Sequence, residues 1–365
     1  MGELPNPGLG YKIREYLGGG NWKSAYRATS PYSLADVALL FFHDDEQPDV
    51  VVKDVTSLLR TMSRHRYASY LARFYGFQQG QDGRFFIIEE LLDRPLEGLA
   101  PLNDIVQFVR IARDLSRALV CLHESKLVHR DLKLDNCGLD HQLRAKIFDL
   151  GSVTSDGGDV RGTVFSRAPE LFSNSNVAQC DYQTDVWALG AALFALRTGD
   201  YPFVFHSEIH ERKIINDEVR ARAIDQATGK QRKESLNKSV ADRILSESAA
   251  SELRARIHRS LRGRSEEILN SMLEFDRGKR SSIQEAEAAW SKLAEGLGSA
   301  GENRPTDKWD QIRSHIKLAE RKELVLTRRQ IDRIISEYNS ETPNDHGDEL
   351  RNTLLHLKEM ADGIA

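Results

Sequence analysis

The stretch HRDLKLDN, residues His129–Asn136, brings an ammonium group, carboxylates and a carboxamide into one short loop. Further along, DLG (Asp149–Gly151) offers another carboxylate. Asn136 and Asp149 are oxygen donors on two separate loops, and hard oxygen ligands of this kind suit Mg²⁺ bridging phosphates. Near the start of the chain, LGGGNWKSAYRA (Leu17–Ala28) carries consecutive glycines at Gly18, Gly19 and Gly20. Glycines let a backbone approach a ligand closely, as a loop lying over phosphates must. Lys23, within that loop, and Lys133 are cations that could neutralise such phosphates. Taken singly, an Asp or an Asn is usually a solvated loop or cap group. Together, the set points to phosphoryl transfer.

Something must hold these groups in place. In the first ninety or so residues, YKIREYLG, SAYRAT, DVALLFF and RFFIIEELL are rich in aromatic and β-branched residues and read as strands. Between the last two, DVVVKDVTSLLRTMSR carries an apolar face at helical spacing through Val51, Val55, Leu58, Leu59 and Met62. From Leu102 the pattern becomes helical. LNDIVQFVRIARDLSRALVCLHES is strongly amphipathic, with Asn103 as the expected cap, and DVWALGAALFALRTG is apolar nearly all round, as a core helix should be. Residues His206–Arg264 are charged and helical in composition, with a polar break expected at ATGKQ. GLGSAGENRP (Gly296–Pro305) has linker composition, and three amphipathic stretches after it read as a small helical appendage.

The 365 residues are enough for one large two-lobed domain or two modest ones, and the net charge of −4 gives no basic excess that would point to nucleic acid. The longest apolar run, ALGAALFAL (Ala188–Leu196), is too short to cross a membrane. MGELPNPG has no basic-then-apolar signal pattern, and Asn6 stands where an N-myristoylation motif wants Ser or Thr. Cys121, Cys137 and Cys180 lie far apart without metal or disulfide spacing, so a reducing cytoplasm is the expected compartment.

With HRDLKLDN and DLG, the chain also carries GTVFSRAPE (Gly162–Glu170) and DVWALG (Asp185–Gly190), in that order. In this it resembles the eukaryotic-type Ser/Thr protein kinases from about Tyr11 to about Trp290. The resemblance implies a bilobal α+β fold: a small β-rich N-lobe over residues 1–92 with one main helix, and a larger helical C-lobe over 93–295. A linker (296–306) and a helical extension (307–365) would follow. It implies Mg²⁺ and ATP as cofactors and Ser or Thr of a protein as substrate, with no nucleic acid or membrane partner. Asp131 matches the catalytic aspartate that accepts the hydroxyl proton, Lys133 the lysine that reaches the γ-phosphate, and Asn136 and Asp149 the metal ligands. Gly18, Gly19, Gly20, Ala25 and Ala38 would line the nucleotide, and backbone groups from Glu89 to Leu91 would form the adenine hinge, after Ile88 as gatekeeper. Glu170 would pair with Arg280, Asp185 would anchor the catalytic loop, and Thr163 would touch Asp131 and Lys133. His129, Leu150 and Phe74 match packed spine positions.

One expected residue is missing. The family places a phosphate-binding lysine on the third strand, and here that run is VALL, with Leu40 at the lysine position. Lys23 stands instead at the third-glycine position of the loop. In this, and in DLG for DFG, the chain resembles the WNK ("with no lysine") kinases, which move the lysine to this slot; Trp22 would be their loop-tip aromatic. The alternative is an exposed strand lysine beside a dead site, which would make the chain a pseudokinase. A small-molecule kinase is a further alternative, against which APE, Arg280 and Thr163 argue. Asp54 is the nearest acid for pairing with the lysine, although the helical register equally places Val55 there, and Lys53 is a rival phosphate binder. WNK kinases also bind an inhibitory chloride where the lysine is absent; here Leu40 is bulky enough to fill that space. Ser152, Thr154, Ser155 and Ser166 are candidate phosphoacceptors, Thr154 or Ser155 foremost, with Arg130 as their anion partner. The charged helices and the C-terminal extension could dock a partner or cover the large lobe.

Overall fold

The computed structural model describes residues 5–19, 23–32, 36–42, 64–155, 164–172, 179–220 and 223–301. The chain divides into two compact units, Met1–Ala294 and Glu295–Ala365. The helix expected over DVVVKDVTSLLRTMSR lies, but for Arg64, outside the described residues, as does the C-terminal extension from residue 302 on.

The first unit opens with an antiparallel sheet of β1 (Lys12–Gly19), β2 (Lys23–Thr29), β3 (Asp36–Phe42), β4 (Phe74–Gln79) and β5 (Phe85–Glu90), in the order β1-β2-β3-β5-β4. Side chains alternate faces along a strand, so register decides which face each residue serves. On one face, Ala28, Val37, Leu39, Phe41, Phe86 and Ile88 pack with Tyr11 into a core. The Phe41 and Phe86 rings lie 4.9 Å apart, and Tyr11 meets Phe86 edge-on at 6.1 Å. The opposite face carries Lys23, Ala25, Ala38, Leu40, Ile87 and Glu89, with Ala25 opposite Leu40, Leu40 opposite Ile87 and Ala38 opposite Glu89.

Four of these strands match the sequence expectation. The fifth, β4, has no clean period-2 pattern because it is an edge strand, half exposed along its length and interrupted by Gly76.

A second, three-stranded sheet of β6 (Arg94–Pro95), β7 (Cys137–Leu139) and β8 (Ala145–Ile147) leads into the helical part. There α1 (Ile105–Glu124) and α2 (Tyr182–Thr198) form the centre. The cap of α1 is Asp104 rather than Asn103: its Oδ1 accepts from the Val106 and Gln107 N–H groups at 2.9 and 3.1 Å. Both residue types cap well, so sequence alone could not separate neighbours. The apolar α2 is buried nearly all round, and Gly190 lets Leu273 approach to where a Cβ would sit 3.0 Å from its Cγ.

Then follow α3 (His206–Arg220), α4 (Gln226–Ile244), α5 (Ala249–Ser260), α6 (Arg264–Met272) and α7 (Ile283–Gly301). The polar ATGKQ is no break. It forms the first turns of α4, capped by Asp225, and Gly229 is there because a Cβ would collide with Val219 of α3. Helix α7 continues through Gly301, so the start of the glycine-containing stretch expected as linker is helical. No helix among the described residues is long and apolar enough to cross a membrane.

Candidate active site

Asp185, only 1% exposed, sits in the first turn of α2 and organises the loop that precedes β7. Its Oδ2 accepts from the His129 N–H at 2.7 Å and its Oδ1 from the Arg130 N–H at 3.0 Å, and His123 Nε2 lies 3.1 Å from Oδ2. These bonds hold Arg130 at φ +66°, a conformation that a side-chain-bearing residue rarely adopts. The next residue is Asp131. Its carboxylate lies 3.4 Å from Lys133 Nζ, and its carbonyl accepts from Asn136 Nδ2 at 2.8 Å. Asn136 is buried, and with its amide nitrogen so engaged, its Oδ1 is the atom it can offer a cation. The ring of His129 is wholly buried, as a packing residue should be, and burial outweighs the neighbouring carboxylates to hold its pKa below the usual value.

Asp149 follows β8 and takes φ +59°. From β2, Lys23 reaches across and pairs with its carboxylate. The two side chains are 13% and 27% exposed, so the pair is sheltered from solvent. Burial pushes the Asp149 carboxyl up, but the charge and hydrogen bond of Lys23 outweigh it and leave it below the ordinary range. Burial likewise disfavours the Lys23 ammonium, and the charges of Asp149, Glu89 and Asp131 more than restore it. An ammonium from the glycine loop and a carboxylate from the DLG turn thus meet in one cleft. Gly18, at φ +149°, takes a conformation suited to glycine next to this strand, and Gly19 is exposed. Gly20, Trp22, Lys53, Asp54, Val55 and Thr163 lie outside the described residues.

The cleft wall corrects one expectation. Ile88 is not the gatekeeper facing the cleft. It pairs with Leu39, and both belong to the core on the other face of the sheet. Glu89 turns toward the cleft instead, beside Ala38, and is 7% exposed. Burial lifts its carboxyl to about 7, against the opposing pull of Lys23. The parity of β5 against VALL was the signal that could have found it. Leu91 is half-buried at the end of β5, where the neighbouring Glu90 is clamped by Lys146 Nζ at 2.6 and 2.8 Å. Leu40, 5% exposed, fills the wall where a third-strand lysine would stand.

Around this site, Arg280 binds Glu170 through two hydrogen bonds of 2.7 and 3.0 Å. Arg130 Nε donates to the Ser152 carbonyl at 2.6 Å. Of the candidate phosphoacceptors, Ser166 is buried, Thr154 is tied to Val128 by backbone hydrogen bonds in both directions, and Ser155 is exposed.

Asn136 and Asp149 fit a hard cation that takes few protein oxygens and completes its shell with phosphates and water. No cluster of three or more His, Cys, Asp or Glu among the described residues offers a self-contained metal cage.

The chain is 31% identical over 211 residues to the DNA damage-responsive serine/threonine-protein kinase RqkA of Deinococcus radiodurans, covering 54% of this chain and 31% of that protein. It is 27% identical over 241 residues to the serine/threonine-protein kinase ksg1 of Schizosaccharomyces pombe, covering 56% and 40%, and 28% identical over 211 residues to pakH of Dictyostelium discoideum, covering 53% and 38%. The matches thus span about a third to two fifths of these relatives' lengths. Residues 11–290 match the protein kinase domain, and the chain belongs to that family.

Proposed function

We propose that the chain is a cytoplasmic Ser/Thr protein kinase that transfers the γ-phosphoryl of Mg·ATP, with Lys23 in place of the missing third-strand lysine. The observation that carries this reading is the pairing of Lys23 with Asp149 inside the cleft, on the face shared by Ala25, Ala38 and Leu40. A lysine serving only as a surface strand residue would have its charge in water, where solvation costs nothing.

Phosphoryl transfer asks the protein for position and charge rather than covalent chemistry. Asp131 accepts the proton of the attacking hydroxyl, held in place by the loop that Asp185 anchors. Lys133, beside it, faces the transferring phosphoryl. Asn136 and Asp149 supply oxygen ligands to Mg²⁺, which when bound neutralises phosphate charge. Lys23 enters from the strand above and offsets the charge of the remaining phosphates. Ala25 and Ala38 leave room for the nucleotide base. The glycine loop lies over the phosphates, and hinge backbone after Glu89 meets the adenine edge. The exposed Ser155 is the favoured activation phosphosite, and the C-terminal extension is a candidate docking element.

Incubation with ATP and a generic basic protein, followed by phosphosite mapping, tests this reading. Phosphoserine and phosphothreonine in the product are expected. Nucleotide binding without any product would favour a pseudokinase, and phosphorylation of metabolites alone would favour a small-molecule kinase.

A further inference from the structure

The charges on α3 and α4 are unevenly matched. Arg232 of α4 spans two acids of α3, with Nη1 2.6 Å from Glu218 Oε2 and Nη2 3.7 Å from Glu211 Oε1. Arg243 takes both carboxylate oxygens of Glu208, and Lys213 pairs with Glu97. Arg212 of α3 and Lys233 of α4, both half-buried, form no ion pair among the described residues.

These two cations stand at the end of a wall that begins beside Asp131. Tyr201, 4% exposed, accepts from the Leu134 N–H at 2.9 Å, in the loop that carries Asp131. Its ring lies 5.8 Å from that of Phe165. The Arg212 guanidinium lies 5.2 Å from the centre of the Phe165 ring, and its Nη1 donates to Asn237 Oδ1 at 2.8 Å. Asn237 stands one helical turn along α4 from Lys233, and α4 packs against the turn Val164–Ser166 that holds Phe165. At about 3.3 Å per residue, an extended peptide with its hydroxyl at Asp131 reaches these cations within about two to five residues. Burial, then the charge of nearby Arg167, holds the Arg212 pKa below its usual value, and burial, then Arg212, does the same for Lys233. Like charges so gathered favour an incoming anion.

We propose that Arg212 and Lys233 form a subsite for an anionic side chain of the protein substrate, a carboxylate or a phosphorylated hydroxyl, a few residues from the acceptor Ser or Thr. The proposal rests on the kinase reading above and names the substrate class of that same site. Phe165 and Asn237 fix the guanidinium plane, and Asn237 engages Nη1 alone, so N–H donors remain for carboxylate or phosphate oxygens. Lys233 adds a second positive charge from the neighbouring helix.

The test uses the purified full chain, Mg·ATP and a set of Ser-centred peptides. One peptide is neutral, and the others carry a single Asp, Lys or phosphoserine placed in turn at each position up to about four residues either side of the acceptor. One placement of Asp or phosphoserine is expected to raise kcat/KM about tenfold over the neutral peptide, mainly through KM. Whichever of the two gains more identifies the source of the anion. The Arg212→Met/Lys233→Met double variant should bring the ratio of anionic to neutral peptide close to one. Arg212→Glu should move the preference to Lys at the same position, which lost packing against Phe165 alone does not do. Should Arg212→Glu fail to fold, Lys233→Glu carries the same reversal. A ratio near one at every placement in the wild type, or a preference unchanged in the variants, would overturn the subsite, while label on the neutral peptide leaves the kinase reading standing. No label on any peptide or on the chain itself removes both.

Discussion

Replacing Arg280 with Met should unfold the helical part of the domain well below its normal melting temperature. The Arg280 side chain is 0% exposed. It donates to both oxygens of Glu170, to the Gln183 carbonyl at 2.8 Å and to the Glu274 carbonyl at 2.9 Å. Its guanidinium also lies 5.1 Å from the centre of the Trp187 ring. Methionine keeps most of the aliphatic stem but abandons every one of these acceptors, including a carboxylate only 23% exposed. Removing one partner of a buried ion pair costs about 3–5 kcal/mol, and the partial exposure of Glu170 favours the lower end. At about 2–4 °C per kcal/mol for a large domain, a loss of about 3 kcal/mol lowers Tm by roughly 6–12 °C. Tryptophan fluorescence during thermal unfolding reads this directly, because Trp187 lies against the guanidinium. Glu170→Gln should also destabilise, by leaving the guanidinium with a weaker partner. The double variant should then lose less than the two single losses added together. A drop below about 2 °C for Arg280→Met, or strict additivity, would refute the assignment of this pair as a fastener of the helical part.

His129 and the cysteines give two further tests. The folded state holds the His129 pKa below its unfolded value of 6.5, so between those two values the unfolded chain binds the extra proton. That contribution to stability is full above pH 6.5 and falls as the pH drops toward the folded value; His129→Phe should flatten this part of a denaturation–pH curve. All three cysteines are buried, and burial lifts the Cys121 thiol to about 12 and Cys137 higher still. A thiol reagent at neutral pH should therefore label the native protein slowly and the denatured protein completely, and rapid native labelling would contradict the packing.

How far the site could be read in advance depended on how its information is stored. Asp131, Lys133, Asn136 and Asp149 are short-range motifs, where spacing along the chain nearly fixes spacing in the fold. Glu170 and Arg280 are far apart in sequence, and resemblance to a family, not periodicity, suggested that they meet. Ile88, expected as gatekeeper, faces the other side because a one-residue error in strand parity exchanges the two faces: IIEE offers an apolar and an acidic residue side by side. The same one-residue uncertainty separates Asn103 from Asp104 at the start of α1, since either side chain can accept from the first amides. The edge strand β4 escaped notice because half-exposed residues leave no hydrophobic alternation. ATGKQ misled because Gly229 answers to close contact with Val219 rather than to helix propensity. The facing of Ile88 and the place of Gly229 depend on tertiary contact that no local window contains.

On the proposed function, this is an active kinase whose phosphate-binding lysine stands at position 23. Turnover of radiolabelled ATP by wild type, Lys23→Met and Asp131→Ala, run side by side on a generic basic protein, tests it most directly. Label on wild type that disappears in both variants is the expected result. Label that survives Lys23→Met but not Asp131→Ala would contradict it, by placing another cation on the phosphates.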